Sequence, residues 1–229
     1  MRFLAVETSS PVFSVALCDG DRLVGSLHST EPATRSDFLT GGIQRLLRLG
    51  GWRLQELDGF ALSIGPGSFT GLRVGVTTVK TLAWALKRPV LPVSSLEVIA
   101  HNAAGGGSTV FLFQDARKGK VYTAGFQPDG QGRLKRLSPD ELLPPEEALK
   151  RIAADGKAVL LGDGIRRYQP LLTSMDGKGL ILAPESDWIP RAELLGRIAA
   201  GRWPEGALDD PHRLVPQYLY SKESDITGW

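Results

Sequence analysis

The chain has 229 residues, 42% hydrophobic and 23% charged, long enough to bury a sizeable core and ordinary for a globular protein rather than a disordered or fibrous one. Its net charge of +2, from 27 basic and 25 acidic residues, is small for a protein that lives on nucleic acid, so any RNA contact is expected to be local or delegated to a partner. Apolar runs fall far short of the ~20 residues that span a bilayer. The opening MRFLAVETSS turns polar too soon for a signal peptide, and a single cysteine, Cys18, leaves no disulfide framework, so a cytoplasmic protein without membrane contact is expected.

Residues 2–8 read as a buried strand, followed by a hairpin, FSVALC and RLVGSLH, turned at Asp19-Gly20. A helix is predicted next, with Ser36 as its cap, Leu39, Ile43, Leu46 and Leu47 at helical spacing, and Gly50-Gly51 at its end. The Gly41-Gly42 pair inside it costs about 1 kcal/mol per glycine relative to alanine, which points to a close backbone approach there. LDGFALSI (57–64) is a strand. Ser68 to Leu86 is the strongest predicted helix, with an apolar stripe through Leu72, Val76, Val79 and Ala83 and a small-residue stripe of Gly71, Gly75 and Thr78. Lys87-Arg88-Pro89 stops it, VLPVSS is a strand, and 95–104 is a short helix.

GGGS (105–108) reads as a linker between an N-terminal subdomain, 1–104, and a C-terminal one, 109–229. Beyond it the pattern restarts: strands at 109–116, 120–126 and 132–137, a helix around EEALKRIAA, a strand AVLLGDG (158–164), a helical IRRYQPLL, a strand GLILAP and a helix at 191–202. Strand, hairpin pair, helix, strand, helix thus occurs in each half. That plan predicts an α/β, duplicated actin-like (ribonuclease H-like) fold, two subdomains each with a mixed sheet flanked by helices.

GPGSFTG (65–71) lies between a strand and a helix, where phosphate loops sit. Neither standard spacing fits. A Walker loop needs a glycine where Thr70 stands and a Lys-Ser or Lys-Thr after it, and a dinucleotide fingerprint also fails at Thr70. The helix N-terminus still favours an anion, but Gly65 and Gly67 equally serve a tight turn with Ser68 or Thr70 as cap. ATPases of the actin-like fold place an acid at the first hairpin of each half, and the positions here are Glu7, with Thr8 beside it, and Asp115. No glycine follows either acid to wrap a phosphate, so both also read as ordinary strand-end polar residues, and Gly162 and Gly164 offer a weak mimic of the glycine turn that packs on adenine. Together with Gly65, Gly67 and Ser68 these make a candidate vestigial nucleotide loop. The three histidines, His28, His101 and His212, have no helical metal spacing, no serine sits in a nucleophile elbow, and no metal or cofactor is expected. Basic clusters at 117–120, 133–136 and 166–167 read as solvated surface or as a modest phosphate-facing patch.

The segments FLAVETSS with FSVAL, LDGFALSIGPGSFTGLRVGVTTVKTLAWAL and PVLPVSSLEVIA closely resemble the bacterial TsaB (YeaZ) family. Asp115-Ala116-Arg117 with Lys120-Val121-Tyr122, LLGDG and Pro216-Gln217-Tyr218-Leu219 extend the resemblance over nearly the whole chain. It implies a non-catalytic accessory protein for threonylcarbamoyladenosine modification beside the anticodon of tRNAs that read ANN codons. It also implies partners: the paralogue TsaD, which carries the metal and the transfer chemistry, and the ATPase TsaE, with a homodimer when the chain is alone and tRNA reached indirectly. The TsaD metal pair has no counterpart, because the matching helix TRSDFLTGGIQ holds no histidine. Pairing through N-terminal helices makes Leu39, Gly42, Ile43, Leu46, Gly71, Gly75, Thr78 and Leu82 the candidate partner interface, the glycines admitting a second subunit's helices. The alternatives are an actin-fold ATP-dependent phosphotransferase and a glycoprotease-like metallopeptidase.

Overall fold

The first apolar run forms β1 (Arg2–Glu7), the centre of a five-stranded sheet in a computed structural model that describes residues 1–29, 35–154, 156–174, 179–203 and 209–220. β2 (Ser14–Asp19) and β3 (Arg22–His28) add antiparallel on one side, β4 (Gly59–Gly65) and β5 (Val90–Ser94) parallel on the other, in the order β3-β2-β1-β4-β5. Side chains alternate between the faces with the period of two that a strand imposes. Leu4, Val6, Val15, Leu17, Phe60 and Leu62 point one way; Phe3, Ala5, Ala16, Cys18 and Ala61 point the other.

The bulkier face is covered by α1 (Arg35–Gly50) and α2 (Phe69–Leu86), whose Leu39, Ile43, Leu46, Leu47, Val76, Val79 and Ala83 join the same core. Burying a leucine of this kind stabilises by about 1.5–3 kcal/mol. α1 begins at Arg35, one residue ahead of the predicted cap. α2 starts as predicted: Ser68 is its cap, its hydroxyl accepting from the Gly71 N–H at 3.3 Å. Its far end closes on Lys87 in the left-handed conformation (φ 53°), with the Arg88 N–H donating back to the Ala83 carbonyl at 2.9 Å. α3 (Ser95–Ala100) follows β5 and runs into one turn of tighter helix.

A second sheet has the order β10-β9-β6-β12-β13, built from β6 (Thr109–Leu112), β9 (Gly125–Pro128), β10 (Leu134–Arg136), β12 (Ala158–Leu161) and β13 (Leu180–Leu182). Its plan repeats the first: a central strand, two antiparallel strands on one side and two parallel on the other. Two sheets of one topology in one chain are the duplicated actin-like architecture that the order of elements predicts.

The expected strands 109–116 and 120–126 each break in the middle. β7 (Gln114–Arg117) and β8 (Lys120–Thr123) leave the second sheet and pair in a small third one with β11 (Glu141–Leu143), a strand the sequence reading does not contain. The break falls at Phe113: its N–H still donates to the Leu161 carbonyl of β12 at 2.7 Å, but its carbonyl accepts from the Gly164 N–H at 3.0 Å and so leaves the ladder. α4 (Pro145–Ala154), α5 (Gly164–Arg167) and α6 (Gln169–Thr173) surround this part, and Phe113, Val121, Leu149, Ile152, Leu160 and Ile165 form its core.

The chain divides differently from the expected boundary at 105–108. One unit is Met1–Val98 with Pro190–Gln217; the other is Ile99–Ile189 with Tyr218–Trp229. The cause is α7 (Ala192–Arg202), which puts Leu195, Ile198 and Ala199 on the alanine-rich face of the first sheet. Small residues let it lie close: a Cβ on Gly196 would stand 2.6 Å from the sulfur of Cys18. Cys18 is the buried strand residue the sequence predicts, and burial pushes its thiol up to about 12. No helix among the described residues is long and apolar enough to cross a membrane.

Candidate functional site

The carboxyl ends of parallel strands are where open α/β sheets place ligands. In the first unit that position holds a knot of buried polar groups. Glu7 and Thr8 are fully buried at the end of β1, Ser63 is fully buried near the end of β4, and Ser95 is buried at the start of α3. Ser9 N–H donates to Glu7 Oε1 at 2.6 Å. The Ser63 and Ser95 hydroxyls share a 2.7 Å hydrogen bond, and the Gly65 N–H donates to Ser95 Oγ at 3.1 Å. Glu7 Oε2 and Thr8 Oγ1 are buried without a hydrogen-bond partner. Burial pushes the Glu7 carboxyl above the ordinary glutamate range; the Ser63 and Ser9 hydroxyls and the Ser9 and Thr8 backbone pull it down without cancelling that effect. Ser63 and Ser95 are members the sequence reading missed. Their signal was a serine near each strand end, in LDGFALSI and LPVSS.

The GPGSFTG loop lies on top of this knot and is packed against its own chain. Ser68 N–H, a donor a phosphate would need, goes to the Ser9 carbonyl at 2.7 Å. A Cβ at Gly67 would overlap the Ser9 carbonyl, one at Gly71 the Thr8 carbonyl, and one at Gly75 the Thr8 hydroxyl. Gly65 has φ 117°, and a Cβ there would meet the Gln217 carbonyl at 2.7 Å. The glycines are therefore the means by which α2 and its lead-in loop lie flush on β1. They bring Glu7, Thr8, Gly65, Gly67 and Ser68 together around chain rather than around an open space.

This corrects the expected role of the helix glycines. Gly71 and Gly75 face β1, and Gly42 faces the Val15 and Leu27 side chains of the sheet. Leu39, Ile43 and Leu46 are likewise buried on the sheet, at 1%, 5% and 1% exposure. Of the expected partner residues, Thr78 and Leu82 alone are half-buried at the helix flank. The outward apolar side chains of the two helices are others: Leu49, Phe69 and Trp84, exposed by 71%, 49% and 61%, with the Arg73 guanidinium over the Phe69 ring at 3.8 Å. Periodicity alone offers no way to choose between the two sides, because both carry apolar residues.

Asp115 belongs to the second unit, with Gly162 and Gly164. Its side chain is 6% exposed and fully engaged: it accepts from the Arg117 N–H at 3.0 Å and pairs with Arg117 at 3.2 Å and Arg167 at 3.1 Å. Its own N–H donates to Asp163 Oδ1 at 2.8 Å. Gly162 (φ 124°) and Gly164 pack on the Phe113 carbonyl, where a Cβ on either would come within 2.5 Å. They serve the bend that ends β6. Arg167 was missed as the partner of Asp115, since fifty residues of sequence carry no pairing signal.

The histidines do not gather. His28 Nε2 lies 2.7 Å from Glu193 Oε1, which also accepts from the Ser26 hydroxyl at 2.8 Å. No three metal-capable side chains come together among the described residues.

Residues 35–168, more than half of the chain, match the family model for TsaD, tRNA N6-adenosine threonylcarbamoyltransferase. The chain is 30% identical to the tRNA threonylcarbamoyladenosine biosynthesis protein TsaB of Bacillus subtilis (strain 168), over 98% of this chain and 96% of that one. It is 31% identical to TsaB of Escherichia coli (strain K12), over 96% and 94%. Among solved structures it is similar to YeaZ from Pseudomonas aeruginosa, with a TM-score of 0.81 at 30% identity, covering 95% of this chain and 100% of that one.

Proposed function

The chain belongs to the TsaB family of tRNA threonylcarbamoyladenosine biosynthesis, and we propose that in this pathway it is the non-catalytic partner of the TsaD transferase. On this reading TsaD performs the transfer and the ATPase TsaE joins the pair. The substrates are tRNAs that read ANN codons, modified next to the anticodon in the cytoplasm. The observation that carries the reading is the filled crevice of the first unit. The Ser9 carbonyl takes the Ser68 N–H, and Thr8 and Ser9 occupy the space beside Gly67, Gly71 and Gly75. A nucleotide placed there would have to displace β1 from its own helix.

The partner surface follows from the same packing. The glycine stripes are spent on the sheet, so pairing falls to the outward side of α1 and α2. Leu49, Phe69 and Trp84 act as anchors there, with Thr78 and Leu82 at the flank. The same surface would serve a two-fold homodimer when the chain is alone, since an isologous contact reuses one patch. The test is reconstitution with TsaD, TsaE, ATP, threonine, bicarbonate, the carrier-forming enzyme and tRNA. Omitting this chain alone should abolish the modified nucleoside, and undiminished modification would overturn the proposal. Within it, Trp84→Asp should weaken co-purification with TsaD by about tenfold or more, the effect of losing one buried anchor.

A further inference from the structure

We propose, resting on the pairing with TsaD proposed above, that the outward face of α1 and α2 is made for an acidic protein surface and against a second copy of this chain. Arg45, Arg48 and Arg73 supply the charge, around the apolar anchors Leu49, Phe69 and Trp84. Both helices lie on one side of the first sheet, α1 over β2 and β3 and α2 over β4. Their buried stripes share one core, so their outward sides belong to one surface layer.

The charge of this layer has one sign. Arg45, Arg48 and Arg73 are exposed, and none of the three has an acidic partner among the described residues. α2 holds no acid, and α1 holds Asp37 alone, exposed in its first turn and about 12 Å along the axis from Arg45. Other cations nearby are engaged or answered. Lys80 Nζ donates to the His212 and Leu214 carbonyls at 3.1 and 3.2 Å, Arg53 pairs with Glu56, and Lys87 and Arg88 line a groove at the foot of α2 with Asp209 and Asp210. Arg48 lies in the last turn of α1, where the helix dipole favours a cation. Arg73 lies in the second turn of α2, toward the positive end, where the dipole gives it no such support. Its guanidinium is nevertheless held over the Phe69 ring at 3.8 Å, which orients a charge that nothing in its own chain neutralises.

The helix backbone leaves room for a partner at the same place. Gly41, in the middle of α1, is exposed and has open space where a Cβ would stand. Gly42 is explained by the sheet beneath it; Gly41 is not, and a helix-interior glycine costs about 1 kcal/mol relative to alanine. Apolar side chains set among cations, beside a spot that admits a second backbone, suit a protein interface with a charged rim. RNA would use the cations but leave Leu49 and Phe69 in water. A second copy would bury the apolar side chains but bring two positive faces together, and like charges across an interface select against the wrong partner. An acidic protein surface with apolar recesses satisfies both sets of groups. Pairing with it weakens as salt rises, whereas self-pairing of the lone chain strengthens.

The experiment follows both contacts of the full chain from about 0.05 M to about 0.5 M salt. Biolayer interferometry gives the association rate and Kd for TsaD, and sedimentation equilibrium gives self-association. Association with TsaD should slow about tenfold or more across that range, while self-association tightens. Arg45→Glu with Arg73→Glu should weaken TsaD pairing about tenfold or more, flatten its salt dependence and tighten self-association at low salt. Arg45→Lys with Arg73→Lys keeps the charge and should keep the salt dependence. Unaltered thermal melting of the charge-reversed variant makes the loss specific. TsaD pairing that Trp84→Asp weakens, but that neither salt nor charge reversal changes, overturns this proposal and leaves the pairing itself standing. Absence of TsaD binding overturns both. Self-association that loosens as salt rises overturns the exclusion of a second copy. A tRNA transcript that binds the wild type and is lost by the charge-reversed variant, with TsaD pairing unchanged, would assign the face to RNA and also overturn the proposal.

Discussion

Glu7 closes the first strand of one unit and Asp115 lies just past the first strand of the other, on β7, and the chain treats the two acids in opposite ways. Glu7 is sealed among hydroxyls and backbone, with no cation among the groups that shift it, and burial holds it above the ordinary glutamate range. Asp115 is less deeply set and sits under two guanidinium groups, and its oxygens are all used. One site has been converted into packing, the other into a foundation for a charged turn. A duplicated fold keeps its strand-end acids where they are structurally useful, and what surrounds each acid, not its position, decides what it does.

The largest effect should come from breaking the packing at the first site. Gly75→Leu would drive a side chain into Thr8, and unlike a surface notch this one has no room to yield, so destabilisation of about 3 kcal/mol is expected in urea unfolding. A fully folded Gly75→Leu protein that only loses TsaD would restore the idea that the notch faces a partner. Next in size is Glu7→Gln. Because burial raises the folded pKa, the wild-type carboxyl contributes its full stability below the ordinary glutamate value and loses it as pH rises through the raised one. The amide has no such titration. The stability of wild type relative to Glu7→Gln should therefore decline as pH rises above the ordinary glutamate range. Parallel curves would mean that Glu7 is ionised in the fold.

Much of this was legible in the sequence because it is local. Period-two runs located the strands of both sheets, and period-3.6 stripes with Ser68 and Lys87-Arg88-Pro89 bounded α2 to within a residue. What escaped was non-local. Nothing in VFLFQDA marks the point at which the Phe113 carbonyl turns from the ladder to the Gly164 N–H, so one strand was expected where there are two. The stripe Gly71-Gly75 announced a close approach, but a small-residue stripe does not say what fills it; β1, more than sixty residues earlier, does. The alanine-rich face of the first sheet required a cover that arrives only at α7, beyond an entire second unit.

The smallest expected effect tests the other half of the comparison. Asp115→Asn removes the charge but keeps an oxygen that can accept from the Arg117 N–H, so the turn should survive. The two arginines it releases are 77% and 47% exposed and can be rehydrated, which limits the loss to about 1 kcal/mol or less, fading as salt rises. Removing a carboxylate from under a cluster of cations also leaves the turn more positive. The neutral variant should therefore be slightly less stable than wild type in urea unfolding at low salt, with the gap closing at high salt. A much larger loss that salt does not diminish would show that Asp115 shapes the turn rather than tempering its charge. It would also remove the contrast with Glu7, since both acids would then be doing nothing but packing.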